Sequence, residues 1–193
     1  MSSKTAAIFG GTFDPVHEGH LKLAEDVGKS FKLDRVVFTP CFQSPFKGPT
    51  YALAAQRYDM LNIAIEEKGW DWAEVSKYEI CRPGPSYSWQ TAEHFQELSP
   101  DTKWFWILGT DQWEQIEEWA EPDWLRDHLS FIVVTRDGTK VKNRPGWDFD
   151  SFAFSHPGSS TKIRENYPEH RSWLSPGVRE YCVEHELYVH GHP

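Results

Sequence analysis

An α/β fold, with a doubly wound and mostly parallel sheet flanked by helices, is predicted from three features of the sequence. Apolar runs of strand length alternate with amphipathic segments of helix length along most of the chain. The first of those runs ends in a double glycine, the tight turn that leads from a buried strand into a helix. Length and composition, 193 residues of which 39% are hydrophobic and 25% charged, suit one hydrophobic core and one domain over residues 1–193.

The elements follow in order. The run from Ala6 to Phe9 is a buried strand ending at Gly10-Gly11. From about His20, Leu21, Ala24 and Val27 recur at helical spacing, and Gly28 suits the stop. Arg35 to Thr39, with Val36, Val37 and Phe38, is a second strand halted by Pro40. A loop with Pro45, Gly48 and Pro49 precedes a helix from Ala52 to Glu67 that carries Leu53, Tyr58, Leu61 and Ile65. Ala73 to Ile80 alternates as a strand until Pro83-Gly84-Pro85 breaks it. A helix over Ser88 to Leu98, a buried strand from Trp104 to Leu108, a helical segment from Asp111 to Trp119 and a strand from Leu129 to Thr135 come next. Ser160 to Glu165 opens a helix, and Pro176 to His185 forms the last one. Thr135 to Asp150, with Arg136, Lys140, Lys142 and Arg144, is basic, marked by Gly and Pro, and reads as a solvated surface loop, with a phosphate contact as the alternative.

Charge and composition exclude several classes. Twenty Lys and Arg against 29 Asp and Glu leave a formal charge of −9, which disfavours a generic nucleic-acid binder. A small anionic substrate is still compatible, because a cleft focuses its own field. No apolar stretch approaches the roughly 18 residues that would span a bilayer. Met1-Ser2-Ser3-Lys4 runs straight into the first strand and leaves no room for a leader segment, so a cytoplasmic protein with no membrane partner is expected. Cys41, Cys81 and Cys182 fit neither a disulfide framework nor a zinc site and read as buried or idle thiols. With ten Trp in the chain, any single one is weak evidence of a ligand.

The most informative segment is Gly10-Gly11-Thr12-Phe13-Asp14-Pro15-Val16-His17-Glu18-Gly19-His20. Its glycines lack the dinucleotide-fingerprint spacing and there is no P-loop lysine, yet the physics is related. Glycines after a buried strand let backbone N–H groups approach an anion. The following helix adds free N–H groups and roughly +0.5 charge at its N-terminus. His17 and His20, three apart, can share a face and donate to phosphate oxygens, with Gly19 leaving space between them. A His pair alone is more often structural; here strand, double glycine, spacing and helix coincide.

This wording resembles the HxGH signature of the nucleotidyltransferase superfamily, and in detail that of bacterial nicotinate-nucleotide adenylyltransferases. The resemblance implies a Rossmann-like fold and nucleotidyl transfer from ATP, with Gly10, Gly11, Thr12, Phe13, His17 and His20 at the ATP and both imidazoles on its triphosphate. It also divides the chain into a nucleotide-binding core of about 5–135 and a C-terminal part of about 156–190. Ser44-Pro45-Phe46-Lys47 resembles a Pro-Pro-His-Lys motif whose lysine meets phosphate; Phe46 stands for the His and Ser44 for the first Pro. Ser86-Tyr87-Ser88-Trp89-Gln90-Thr91 resembles Ser-Tyr-Thr-x-x-Thr, with Ser88 for the first Thr. Read from its residues it is a helix N-cap; the resemblance adds amides near Ser88 that receive a nicotinate carboxylate.

Gly109-Thr110-Asp111 resembles a Gly-x-Asp motif whose carboxylate accepts from ribose hydroxyls, where plain helix capping is the simpler reading. Trp119, eight residues on, matches the family Trp that stacks on the pyridine ring, although a core role competes. Ser159-Ser160-Thr161-Lys162-Ile163-Arg164 resembles Ile-Ser-Ser-Thr-x-Ile-Arg, with Gly158 in place of Ile. Its hydroxyls suit an N-cap and anion nest, and Arg164 lies one turn in, able to fork onto phosphate oxygens. Val178-Arg179-Glu180-Tyr181 and Leu187-Tyr188 resemble the family's closing helix and Leu-Tyr end, read as packing.

The resemblance therefore implies adenylyl transfer from ATP to nicotinate mononucleotide, with release of pyrophosphate, in NAD biosynthesis. His17, His20, Lys47 and Arg164 would carry the reaction. Gly109, Asp111, Ser159, Ser160 and Thr161 would complete the ATP site, and Lys47, Ser88, Thr91 and Trp119 the acceptor site. Magnesium bridging phosphate oxygens and water is implied, with no dedicated protein site for it. ATP and a pyridine mononucleotide are the expected partners, and a homo-oligomer is compatible. Alternatives are the same chemistry on nicotinamide mononucleotide or phosphopantetheine, a non-catalytic nucleotide-binding protein of this fold, and a scaffold using its Trp-rich surface.

Overall fold

In the computed structural model, which describes residues 4–46, 48–136 and 139–189, the strands are β1 (Lys4–Gly11), β2 (Arg35–Pro40), β3 (Ala73–Val75), β4 (Thr102–Gly109), β5 (Ser130–Thr135) and β6 (Phe149–Ala153). They form a sheet in the order β3-β2-β1-β4-β5-β6 with every neighbouring pair parallel. The helices are α1 (Glu18–Phe31), α2 (Ala54–Lys68), α3 (Ser88–Leu98), α4 (Thr110–Glu114), α5 (Pro122–His128), α6 (Ser160–Glu165), α7 (Tyr167–His170) and α8 (Pro176–Glu184). This is the doubly wound architecture expected. Strand order reverses between β1 and β4, so the connections leaving their carboxyl ends diverge and open a crevice there.

Alternation along the central strands builds a core on each face. Ala7 and Phe9 of β1, Phe105 and Ile107 of β4, and Ile132 and Val134 of β5 join α1, α2 and the C-terminal helices on one side. Ala6 and Ile8, Trp104, Trp106 and Leu108, and Phe131 and Val133 face α3 and the segment from Trp113 to Leu129 on the other. Burial on both faces is why these strands read as continuous apolar runs. None of the described helices is long and apolar enough to cross a membrane.

Several boundaries differ from expectation for identifiable reasons. Helix α1 runs through Gly28 and stops where Lys32 takes a left-handed φ of 52°, its N–H returning to the Gly28 carbonyl. Strand β3 has only three residues; the chain then turns, burying Glu79. The segment from Asp111 to Trp119 splits into α4 and a 3-10 turn over Ile116–Glu118. Strand β6 escaped notice because an edge strand with the sequence FDSFA exposes three of its five residues. The basic stretch is a mixed case. Lys140 and Lys142 are exposed as expected, but Arg144 is 3% exposed, donates to the Trp113 and Glu114 carbonyls and pairs with Glu117. Its neighbours Val141 and Trp147 pack on the second core, so this part of the loop is not solvated.

One buried carboxylate joins the far ends of the chain. Asp14, 4% exposed, accepts from the Tyr51 N–H at 2.8 Å, the Ala52 N–H at 3.1 Å and the Tyr188 hydroxyl at 2.5 Å. Tyr188, expected only to pack, is therefore a donor to the first motif; burial and the neighbouring carboxylate push its phenol far above the usual range. Tyr188→Phe removes one hydrogen bond to a carboxylate and is expected to cost roughly 1.5–3 kcal/mol. Urea unfolding would measure it, and an unchanged midpoint would show that the bond contributes nothing net.

Candidate active site

Aromatic rings shape the β1–α1 turn as much as its glycines do. A Cβ on Gly10 would lie 2.8 Å from the Trp106 ring, and one on Gly11 would lie 2.9 Å from the Phe13 ring. Ring packing thus holds both positions to glycine, a reason not visible in the sequence. Phe13 is buried at a φ of 50°, uncommon for a bulky residue. Its ring meets His20 edge-on with 5.1 Å between centroids.

His17 is the N-cap of α1. Its Nδ1 accepts from the Gly19 N–H at 3.1 Å, and its own N–H donates to His20 Nδ1 at 3.2 Å. The pair forms a capping box made of imidazoles, with the rings stacked at 3.8 Å between centroids. Because each Nδ1 accepts, each ring carries its proton on Nε2. Burial above all, with His156 and Arg136 nearby, pushes His17 down to about 4. At neutral pH His17 is therefore an uncharged donor.

The segment around α6 docks on this turn across 145 residues of sequence: Ser160 Oγ donates to the Pro15 carbonyl at 2.8 Å. Arg164 donates from Nη1 to the Asp14 carbonyl at 2.7 Å and from Nη2 to Thr161 Oγ1 at 3.3 Å. Ser159 caps α6 by accepting from the Lys162 N–H. Across the crevice, Asp111 lies so close over Gly109 that a Cβ there would be 2.5 Å from Asp111 Oδ1. Every residue expected at the ATP, namely Gly10, Gly11, Thr12, Phe13, His17, His20, Gly109, Asp111, Ser159, Ser160, Thr161 and Arg164, lines one cavity of about 790 Å³. His156, Tyr51 and Lys162 line it too and were missed, and Arg136, read first as part of a solvated loop, lines it as well. Gly158 in place of the family Ile was the one sequence signal near His156.

A second cavity of about 330 Å³ shares Gly10, Gly11, Thr12 and Gln112 with the first. Ser88 and Trp119 are on its wall as expected, with Phe46, Ser86 and Glu79. Trp119 also belongs to the second core, its ring edge-on to Trp106 at 6.3 Å. Phe46 faces Trp119 at 6.3 Å between centroids and 30° between planes. Thr91 is not on this wall; it is buried and donates to Glu79 Oε1 at 2.6 Å. Burial pushes Glu79 up to about 7 in spite of hydrogen bonds from Thr91 and Ser86. Lys47 lies outside the described residues.

The sequence profile of the cytidylyltransferase-like family matches residues 8–166. A protein of Methylacidiphilum infernorum (isolate V4) named "Probable nicotinate-nucleotide adenylyltransferase" is 36% identical over 188 residues, covering 95% of this chain and 91% of its own length. This chain belongs to the nicotinate-nucleotide adenylyltransferase family. A protein of Thermus thermophilus with the same name is 35% identical over 184 residues, covering 94% of this adenylyltransferase and 97% of its own length. Among solved structures, Plasmodium falciparum nicotinic acid mononucleotide adenylyltransferase complexed with NaAD aligns with a TM-score of 0.79 over 96% of this chain and 97% of that one. At 18% identity that likeness concerns the fold.

The depressed His17 couples pH to the stability of the adenylyltransferase. Between its unfolded value of 6.5 and about 4 the unfolded chain holds a proton that the folded one refuses, so stability falls as pH drops through that window. The total is about 3 kcal/mol, and the slope vanishes above and below the window. His17→Asn keeps an N-cap acceptor and is expected to flatten the slope in unfolding midpoints between pH 4 and 7. An unchanged slope would place the titration elsewhere.

Proposed function

We propose that this adenylyltransferase joins ATP to nicotinate mononucleotide, giving nicotinate adenine dinucleotide and pyrophosphate. The observation that carries the reading is the meeting of two unlike cavities at one backbone segment, Gly10 to Thr12. The larger is walled by imidazoles, hydroxyls and Arg164, groups suited to a triphosphate; the smaller is walled by Phe46 and Trp119, rings suited to a pyridine. A transfer between two nucleotides needs two such sites that touch where the reacting atoms meet.

An oxygen of the acceptor phosphate attacks the α-phosphorus of ATP in line, the bond to the bridging oxygen breaks, and pyrophosphate leaves. A nucleotide phosphate is already ionised at neutral pH, so no side chain has to remove a proton. The protein supplies position and charge stabilisation. His17 and His20 donate from Nε2 at the N-terminus of α1, and Arg164 holds phosphate oxygens with the N–H groups left after its bonds to Asp14 and Thr161. Lys47 adds a cation from the loop of Phe46, and Asp111 accepts from the ribose. Among the described residues no group of three or more His, Cys, Asp or Glu could hold a metal ion. A magnesium ion brought in with the substrate phosphates would supply charge neutralisation for the leaving pyrophosphate.

Pyrophosphate release with ATP and magnesium tests the acceptor directly. Nicotinate mononucleotide is expected to be strongly preferred over its amide; equal or reversed preference would keep adenylyl transfer and overturn the acceptor. Glu79 makes that preference depend on pH. Its carboxyl is neutral below about 7 and ionised above, with Arg57 as its charged neighbour. The ratio of acid to amide turnover is therefore expected to fall from pH 6 to pH 8, and taking the ratio cancels titration of the phosphate common to both substrates. A flat ratio would remove Glu79 from acceptor choice. Phe46→Ala, at a side chain 55% exposed and so without a large folding cost, is expected to raise KM for the pyridine nucleotide severalfold and leave KM for ATP unchanged. A rise in KM for ATP instead would show that Phe46 serves the other cavity.

A further inference from the structure

We propose that His156 is a third imidazole of the ATP site, donating from Nε2 to the triphosphate beside His17 and His20. The choice of ligand rests on the nucleotide-transfer reading above; the placement of the ring does not. His156 follows β6 in the loop that leads to α6, and it lines the large cavity but not the small one. It therefore belongs to the cavity assigned to ATP and not to the acceptor's. Its Nδ1 accepts from the Gly158 N–H at 2.9 Å, which fixes the proton on Nε2. Among the described residues nothing bonds Nε2.

Two glycines make room for the ring. A Cβ on Gly19 would lie 2.8 Å from His156 Nδ1, and one on Gly158 would lie 2.9 Å from His156 Nδ1 and 3.0 Å from His17 Nδ1. Gly158 is the position at which this chain departs from the Ile of the family pattern, and a branched side chain there would drive both imidazoles out. The departure and the histidine two residues earlier are thus one feature: the bulk given up at 158 is occupied by the ring of 156. Gly19 belongs to the first turn of α1, a helix of 14 residues whose free N–H groups already favour an anion.

The charge around the ring points the same way. In a chain with a formal charge of −9, the cavity is lined by Arg136, Lys162 and Arg164 against Asp111 and an Asp14 already taken by Tyr51, Ala52 and Tyr188. A ring N–H donor among those cations suits an anion that carries several oxygens. The rival use of the ring is a purine: Phe154, also on the cavity wall, lies parallel to His156 at 3° and 6.3 Å between centroids.

Calorimetric binding of inorganic tripolyphosphate and of adenosine, each to the full chain, separates these uses. Loss of one hydrogen bond to a charged ligand corresponds to an affinity change on the order of tenfold. In His156→Ala we expect tripolyphosphate to bind on the order of tenfold more weakly, adenosine to bind as before, and KM for ATP to rise while KM for the pyridine nucleotide holds. His156→Gln, whose amide nitrogen can stand near Nε2, is expected to restore much of the affinity. His156→Asn, whose oxygen can still take the Gly158 N–H, is expected not to. Rescue by Asn and not by Gln would make His156 a loop-shaping residue and overturn the proposal, as would a loss confined to adenosine. If the wild-type chain released no pyrophosphate with any pyridine mononucleotide while the tripolyphosphate pattern held, the transfer reading would fall and the assignment of His156 would stand.

Discussion

Everything in the crevice depends on how the carboxylate and carbonyl of one residue, Asp14, are used. The carboxylate takes the N–H groups that open the path into α2 and the hydroxyl of Tyr188; the carbonyl takes the guanidinium of Arg164. Four segments separated by up to 174 residues therefore meet at one point of the β1–α1 turn. Burying a carboxylate is costly unless its lone pairs are matched, and here they are matched almost wholly by the segments that the site needs in register. Tyr188 thus helps hold the β1–α1 turn that lines the larger cavity, although neither it nor the last helix touches that cavity.

Arg57 and Arg164 show how one residue type divides its labour around that point. Arg57 is fully buried and donates to the carbonyls of Thr12, Cys41, Phe42 and Ala52. Its fork is spent on holding the β1 and β2 ends together, and it lines neither cavity. Arg164 gives two donors to the protein and keeps the rest of its planar fork in the cavity. Adjacent in space to the same turn, one arginine is architecture and the other can meet a ligand; only the count of satisfied carbonyls distinguishes them.

Much of this was legible in the sequence, and the limits have physical causes. The central strands and their order of appearance could be read because burial on both faces leaves unbroken apolar runs. The β1–α1 turn could be read because a double glycine and two histidines at helical spacing are rare together. Strand β6 could not, since a sheet edge exposed to solvent needs no apolar pattern, and Arg144 could not, since a buried arginine and a solvated one look alike until carbonyls surround the first. The reason for Gly10 was only half visible: the sequence suggests room for an anion, while the Trp106 ring that also needs the space comes from a strand almost a hundred residues later. Thr91 was read as touching the acceptor and instead hydrogen-bonds Glu79, because a helix N-cap motif does not say which way a hydroxyl one turn further on faces.

The donors of the larger cavity are held before any nucleotide arrives. The Gly19 N–H fixes the tautomer of His17, the His17 N–H fixes that of His20, and Arg164 is braced on a carbonyl and a hydroxyl. In the proposed transfer such donors would need little reorganisation as charge moves from the α-phosphorus toward pyrophosphate, which is how fixed dipoles stabilise a transition state more than water does. The same bracing explains why neutrality suits His17. A protonated ring would lose the Gly19 bond at Nδ1, since that nitrogen could no longer accept, and with it the cap of α1. A neutral donor keeps both the helix and the hydrogen bond, leaving the positive charge to the arginine and lysine side chains on the cavity wall.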